Sequence, residues 1–152
     1  MTTDSPPTGA VRAVHLRWSN IGLVAIGGAV GTATREACAL TWPTPAGGFP
    51  LTILVINVVG AFALGLLLEL LARRGSDGGR RRAVRLLIGT GVLGGFTTYS
   101  TFARDVAGLA GTSTGLAFTD VAATLILGIA ASTAGISAGI LLHRRTGAQD
   151  PA

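Results

Sequence analysis

The chain has 152 residues, of which 49% are hydrophobic and 12% are charged, and its formal net charge is +5. Soluble proteins carry about twice that share of charged residues, so the composition indicates one membrane domain. The positive charge does not indicate nucleic-acid binding, because the arginines lie between apolar runs and not on one basic face.

Four apolar runs predict an all-α membrane protein with four transmembrane helices, in the plasma or inner membrane. We expect a disordered tail over residues 1–17, a membrane domain over 18–142 and a second tail over 143–152. Within the domain, the small and polar segment 108–118 predicts a loop. The predicted spans cover residues 18–40, 51–71, 86–103 and 121–142.

The first two spans each contain one unusual polar residue. Arg35 lies inside the first span, where a charge is costly unless it snorkels to the interface or faces water or a partner. Asn57 is the only strongly polar side chain of the second span before Glu69. An amide in hydrocarbon needs a partner, so Asn57 is expected either to bond a neighbouring helix or to line a pore.

The third span reads Gly94-Gly95-Phe96-Thr97-Thr98 at its middle, which predicts a helix broken at membrane depth. Glycine weakens a helix, and threonine hydroxyls offer the backbone other partners. Carbonyls freed by a break must be satisfied by protein, water or an ion. The segment is therefore either an ion site or a surface of small residues for helix packing.

The remaining sequence contains no pattern that predicts an enzyme. The fourth span is uncharged, and there is no Walker loop, no nucleophile elbow and no pair of carboxylates or histidines at membrane depth. One cysteine, Cys38, excludes an internal disulfide.

Three motifs in this order resemble the CrcB/Fluc fluoride-channel family, over roughly residues 20–142. Gly-Gly-Phe-Thr-Thr-Tyr-Ser-Thr-Phe at 94–102 closely resembles the family's third-span signature. Gly-Gly-Ala-Val-Gly-Thr-Ala-Thr-Arg at 27–35 is similar to its glycine-rich first span, and Leu-Val-Ile-Asn-Val-Val-Gly-Ala-Phe at 54–62 to its second.

The resemblance implies a fluoride-selective channel that exports fluoride from the cytoplasm and relieves its toxicity. It further implies an antiparallel dimer, in which the third-span breaks cross around a structural sodium ion. The carbonyls that hold this ion match Gly94 and Thr97, and Arg35 matches a structural or vestibule position. The fluoride pathway that the resemblance implies comprises Asn57, Tyr99, Ser100, Thr101 and Phe102.

This chain departs from the family pattern at two places. Tyr99 stands where phenylalanine is usual, and the fourth span lacks the expected polar pattern, since Gly128 is followed by Ile129. A non-conducting subunit that completes the pore of a paralogue therefore stays open as an alternative. A small proton-coupled exporter is the other alternative, although it would need a carboxylate inside a span.

The arginines predict which side of the membrane holds the tails. With four spans, both tails lie on the same side as the 73–85 connector, and ten arginines are found there against two on the other side. This imbalance predicts cytoplasmic termini. An antiparallel dimer then needs an inverted partner, so a hetero-dimer with a paralogue of opposite bias is a further expectation. The ten are Arg12, Arg17, Arg73, Arg74, Arg80, Arg81, Arg82, Arg85, Arg144 and Arg145, and the two are Arg35 and Arg104.

Overall fold

The computed structural model describes residues 18–73, 75 and 77–147, and this part of the chain is helical and contains no β-strand. The prediction of an all-α protein is therefore confirmed, whereas the N-terminal tail lies outside the described residues. The elements are α1 (Trp18–Thr41), α2 (Leu51–Ala72), α3 (Gly79–Val84), a π-helix (Arg85–Leu93), α4 (Gly94–Phe96), α5 (Tyr99–Thr112) and α6 (Thr114–Gly147).

Two of the described helices are long and apolar enough to cross a membrane, namely Leu51–Ala72 and Thr114–Arg145. These correspond to the predicted second and fourth spans. Four membrane spans, with the third broken at membrane depth, and assembly as a dimer stay predictions.

The segment predicted as the third span is one helical path that is interrupted once. It begins at Gly79, seven residues before the predicted start, and runs through the π-helix to Phe96. Thr97 and Thr98 then have extended backbone angles, with φ/ψ of −74°/155° and −146°/126°. The path resumes at Tyr99 as α5.

The loop predicted over residues 108–118 is wrong, because this segment is almost entirely helical. Only Ser113 separates α5 from α6. Its N–H donates to the Leu109 carbonyl at 2.6 Å, and its own carbonyl accepts from the Ala117 N–H at 3.1 Å. A single residue therefore ends one helix and starts the next. At the other end, α6 continues to Gly147, beyond the predicted start of the tail at 143.

Buried glycines let the helices approach backbone to backbone. A Cβ on Gly27 would lie 2.9 Å from the Cα of Gly91, so α1 and the π-helix meet where neither has a side chain. Between α2 and α6, a Cβ on Gly65 would lie 2.5 Å from the Ser132 carbonyl oxygen. These contacts pack α1 against the π-helix and α2 against α6.

The buried apolar core within the described residues is small, and many large apolar side chains lie on the surface. Trp18 is 77% exposed and Phe118 74% exposed. Such a surface suits lipid or another subunit more than water. The buried apolar side chains are Ile53, Leu54, Ile56, Leu109 and Ala117.

Candidate functional site

The interruption at Thr97 and Thr98 is held by the hydroxyl groups of these two residues. The N–H and the Oγ1 of Thr97 both donate to the Leu93 carbonyl, at 3.0 and 2.9 Å. The Thr98 Oγ1 accepts from the Thr101 N–H at 3.2 Å and so caps the first turn of α5. Threonine thus ends one helix and begins the next, while Gly94 and Gly95, where a weak point was predicted, are helical.

Asn57 of α2 satisfies the backbone of the extended residue Thr98. Its Oδ1 accepts from the Thr98 N–H at 2.9 Å, and its Nδ2 donates to the Thr98 carbonyl at 3.1 Å. One turn further on, Gly60 packs against the Thr97 methyl group, so closely that any Cβ there would collide with it. The bond to a neighbouring helix that was one expectation for Asn57 is present, and its place on an ion path stays a prediction.

The bond to Asn57 changes the hydrogen bonding of the preceding carbonyls. In a continuous helix the Thr98 N–H would donate to the Gly94 carbonyl, but here it donates to Asn57. Among the described residues, no hydrogen bond across the break reaches the carbonyls of Gly94 or Thr97. Unpaired carbonyl oxygens are suitable ligands for a hard cation such as sodium, so these two residues fit the metal that the resemblance implies.

An open groove of about 580 Å³ runs beside the break. Tyr99 is 79% exposed, and the centroids of the Tyr99 and Phe102 rings are 6.1 Å apart. The groove therefore places two aromatic side chains next to the polar residues of the break. The predicted site residues that line it are Asn57, Gly94, Thr97, Tyr99 and Phe102.

The other predicted residues form a hydrogen-bonded cluster outside this groove. Arg35 of α1 donates from Nη1 to the Thr101 Oγ1 at 3.2 Å. The Thr98 Oγ1 also donates to the Thr101 Oγ1 at 3.2 Å and lies 3.3 Å from the Ser100 Oγ. The Nε of Arg35 is buried and has no partner among the described residues. This side chain thus contacts α5 and does not snorkel freely.

Three residues with evident roles were not predicted from the sequence. Thr98 joins Asn57 to the cap of α5, and threonine is one of the residues that favour the N-cap position. Thr124 of α6 lines the groove, and its buried Oγ1 interacts with the carboxyl of Asp120. Asp120, one turn earlier on the same helix, is only 1% exposed.

Comparison with known proteins agrees with the family resemblance of the sequence motifs. The family described as "CrcB-like protein, Camphor Resistance (CrcB)" matches residues 22–136. A protein of Leifsonia xyli subsp. xyli named "Fluoride-specific ion channel FluC 2" is 52% identical over 135 residues, which cover 88% of this chain and 92% of that protein. "Fluoride-specific ion channel FluC" of Agrobacterium fabrum is 42% identical over 123 residues, covering 79% and 95%. "Fluoride-specific ion channel FluC 1" of Cutibacterium acnes is 60% identical over 80 residues, covering 53% and 56%.

Proposed function

Because this chain belongs to the CrcB/FluC family of fluoride ion channels, which are membrane proteins and not enzymes, we propose that it exports fluoride from the cytoplasm and relieves fluoride toxicity. The observation that carries the proposal is the groove beside the broken helix, where Asn57 meets the aromatic pair Tyr99 and Phe102. A selective path must replace the water around fluoride with donors and positive ring edges, and this groove offers both.

The polar residues of the proposed path have donors to give, and Phe102 offers a ring edge. Asn57 uses one hydrogen of its amide nitrogen on the Thr98 carbonyl, and the second remains for an anion. Tyr99 lines the groove and adds a hydroxyl, whereas the hydroxyls of Ser100 and Thr101 lie outside it, on the first turn of α5. Thr124 supplies a hydroxyl from α6, the span whose lining was in doubt.

We further propose that the protein is an antiparallel dimer with a sodium ion where two breaks meet. The free carbonyls of Gly94 and Thr97 support this proposal. Gly94 is exposed, and a Cβ built on it would meet nothing within 4 Å, so its surroundings are open to a second subunit. When bound, sodium supplies positive charge that holds the two backbones together.

The proposed partner is an inverted paralogue, with both termini of this chain in the cytoplasm. Ten arginines against two fix the insertion direction too strongly for one chain to supply both orientations. The numbered names FluC 1 and FluC 2 among the relatives support the existence of such a partner.

A labelling experiment tests this orientation. Single cysteines are placed at positions 75–79 after Cys38 is replaced, and intact cells are treated with a membrane-impermeant thiol reagent. We expect almost no labelling until the membrane is permeabilised, since the arginine-rich connector faces the cytoplasm. A matched cysteine at Gly47, in the connector between α1 and α2, should be labelled in intact cells. Labelling of about half of the molecules from each side would establish dual topology and remove the reason for a hetero-dimer.

The two alternatives predict other behaviour in liposomes. A non-conducting subunit would release fluoride only when a paralogue is also present, and its own Asn57 would not matter. A proton-coupled exporter would need a proton gradient and a carboxylate, for which Asp120 is a buried candidate at the start of α6. Fluoride efflux that needs no proton gradient, and that is unchanged in Asp120→Asn, would exclude the exporter.

A further inference from the structure

Four arginines and one aspartate lie close together where the interrupted helical path begins. Arg85 donates to both oxygens of the Asp77 carboxylate, from Nε at 3.1 Å and from Nη2 at 2.6 Å. Arg82 donates to the Asp77 carbonyl at 2.6 Å, and its Nε lies 3.7 Å from Oδ2. Arg80 and Arg81 precede Arg82 in α3, so the segment holds four arginines and one aspartate and has an excess of positive charge.

Two clefts with apolar floors open at this cluster, and both include Asp77 and Arg85. The larger cleft encloses about 610 Å³ against α1 and is lined by Ile21, Val24, Ala25 and Leu86, with Arg82 at its edge. The smaller one encloses about 330 Å³ against the end of α2, with Arg81 at its edge. The lining of each cleft thus combines apolar side chains with two arginines and Asp77.

The position of the larger cleft along α1 matches a membrane–water boundary. Trp18 begins α1 and is 77% exposed, as a tryptophan at the interface is expected to be. The apolar residues of the cleft follow it at one and two turns, at Ile21, Val24 and Ala25. An occupant with an anionic head and an apolar chain would therefore place each part next to matching chemistry.

We propose that the larger cleft binds an anionic phospholipid, with its phosphate at Arg82 and an acyl chain along α1 and Leu86. Guanidinium groups bind phosphate through paired hydrogen bonds, and Arg82 and Arg85 keep 30% and 38% of their side chains exposed for this contact. The site depends only on the chain being in a membrane, so it stands or falls independently of fluoride conduction.

Substitution of Asp77 tests the proposal, because it should change lipid binding in the opposite direction from substitution of an arginine. The hydrogen bond from Arg85 lowers the pKa of Asp77, so this carboxylate is ionised at neutral pH and competes with a lipid phosphate for the same guanidinium groups. Removing Asp77 should therefore strengthen lipid binding, whereas removing an arginine should weaken it. A purely structural ion pair would be damaged in the same direction by both changes.

The experiment measures lipid retention by native mass spectrometry of the purified full chain, with phosphatidylglycerol against phosphatidylcholine. One unit of charge near the surface changes affinity for anionic lipid about fivefold. We expect phosphatidylglycerol binding to fall about fivefold in Arg82→Gln and to rise about fivefold in Asp77→Asn. Arg144→Gln is the matched control, because it removes the same charge from the end of α6, outside the cleft.

The possible outcomes decide the proposal. Equal losses of phosphatidylglycerol binding in Arg82→Gln and Arg144→Gln would show that general surface charge attracts the lipid, and would overturn the proposal. A loss of binding in Asp77→Asn would also overturn it. Equal retention of the two lipids by the parent chain would also overturn it. Glycerol 3-phosphate, which has the headgroup chemistry without chains, should displace the lipid poorly; full displacement would assign the site to a free phosphate. If Arg82→Gln does not fold, the rise expected in Asp77→Asn still tests the proposal.

Discussion

Asn57→Asp is expected to remove nearly all fluoride flux through the pathway that this chain lines. The aspartate keeps the oxygen that accepts from the Thr98 N–H, but it places a second oxygen where the amide donated to the Thr98 carbonyl at 3.1 Å. It also adds a negative charge to the groove. Like charges about 6 Å apart repel by roughly 3 kcal/mol at an effective dielectric constant near 20, which corresponds to about a 100-fold loss of flux.

The control for this variant is Asn20→Asp, which makes the same change at the chain's other asparagine, near the start of α1 and outside the groove. Flux is measured with a fluoride electrode in neutral lipid, and folding by thermal unfolding of both variants. Parent-like flux through a folded Asn57→Asp protein would contradict the assignment of Asn57 to the pathway.

Gly94→Leu is expected to abolish assembly and flux while leaving the single subunit folded. Within the described chain a Cβ at this position would meet nothing within 4 Å, and leucine is a better helix former than glycine. Loss of assembly would therefore point to the proposed second subunit, whose break would approach the same point. Oligomeric state is measured by native mass spectrometry, and flux by fluoride efflux.

Gly95→Leu is the matched variant, one residue further along the same turn. Its side chain would collide with the Gly28 carbonyl inside the subunit, so it is expected to prevent folding. Gly94→Leu protein that forms dimers and conducts fluoride normally would remove both the proposed dimer contact and the sodium site from this position.

The sequence predicted the helices well and their ends poorly. Apolar runs of span length indicated α2 and α6, since length and hydropathy are local properties. The predicted fourth span began seven residues after the actual start of α6. Ser113 alone separates α5 from α6, and one serine among small residues is a weak signal for a helix boundary. The break was predicted at Gly94 and Gly95, before its actual position at Thr97 and Thr98. Gly95 instead allows close packing against Gly28 and remains helical.

The family motif predicted the site residues, but the sequence did not predict which residues they contact. Asn57 was singled out as an amide that needs a partner, but Thr98 lies 41 residues away and only the packing of α2 against the break brings the two together. Thr124 was missed because a threonine in an apolar helix usually bonds its own backbone, as Thr133 does to the Ile129 carbonyl. Its place in the lining of the groove becomes evident only from the folded structure.

The most direct test of the account is anion release from liposomes that contain the purified chain together with the proposed paralogous partner. The liposomes are loaded with potassium fluoride or potassium chloride, and a potassium ionophore starts the efflux. We expect rapid release of fluoride with chloride retained, and a large loss of this release when this chain carries Asn57→Asp. Release no greater than that of the paralogue alone, or equal release of chloride, would contradict the claim that this chain forms a fluoride-selective path.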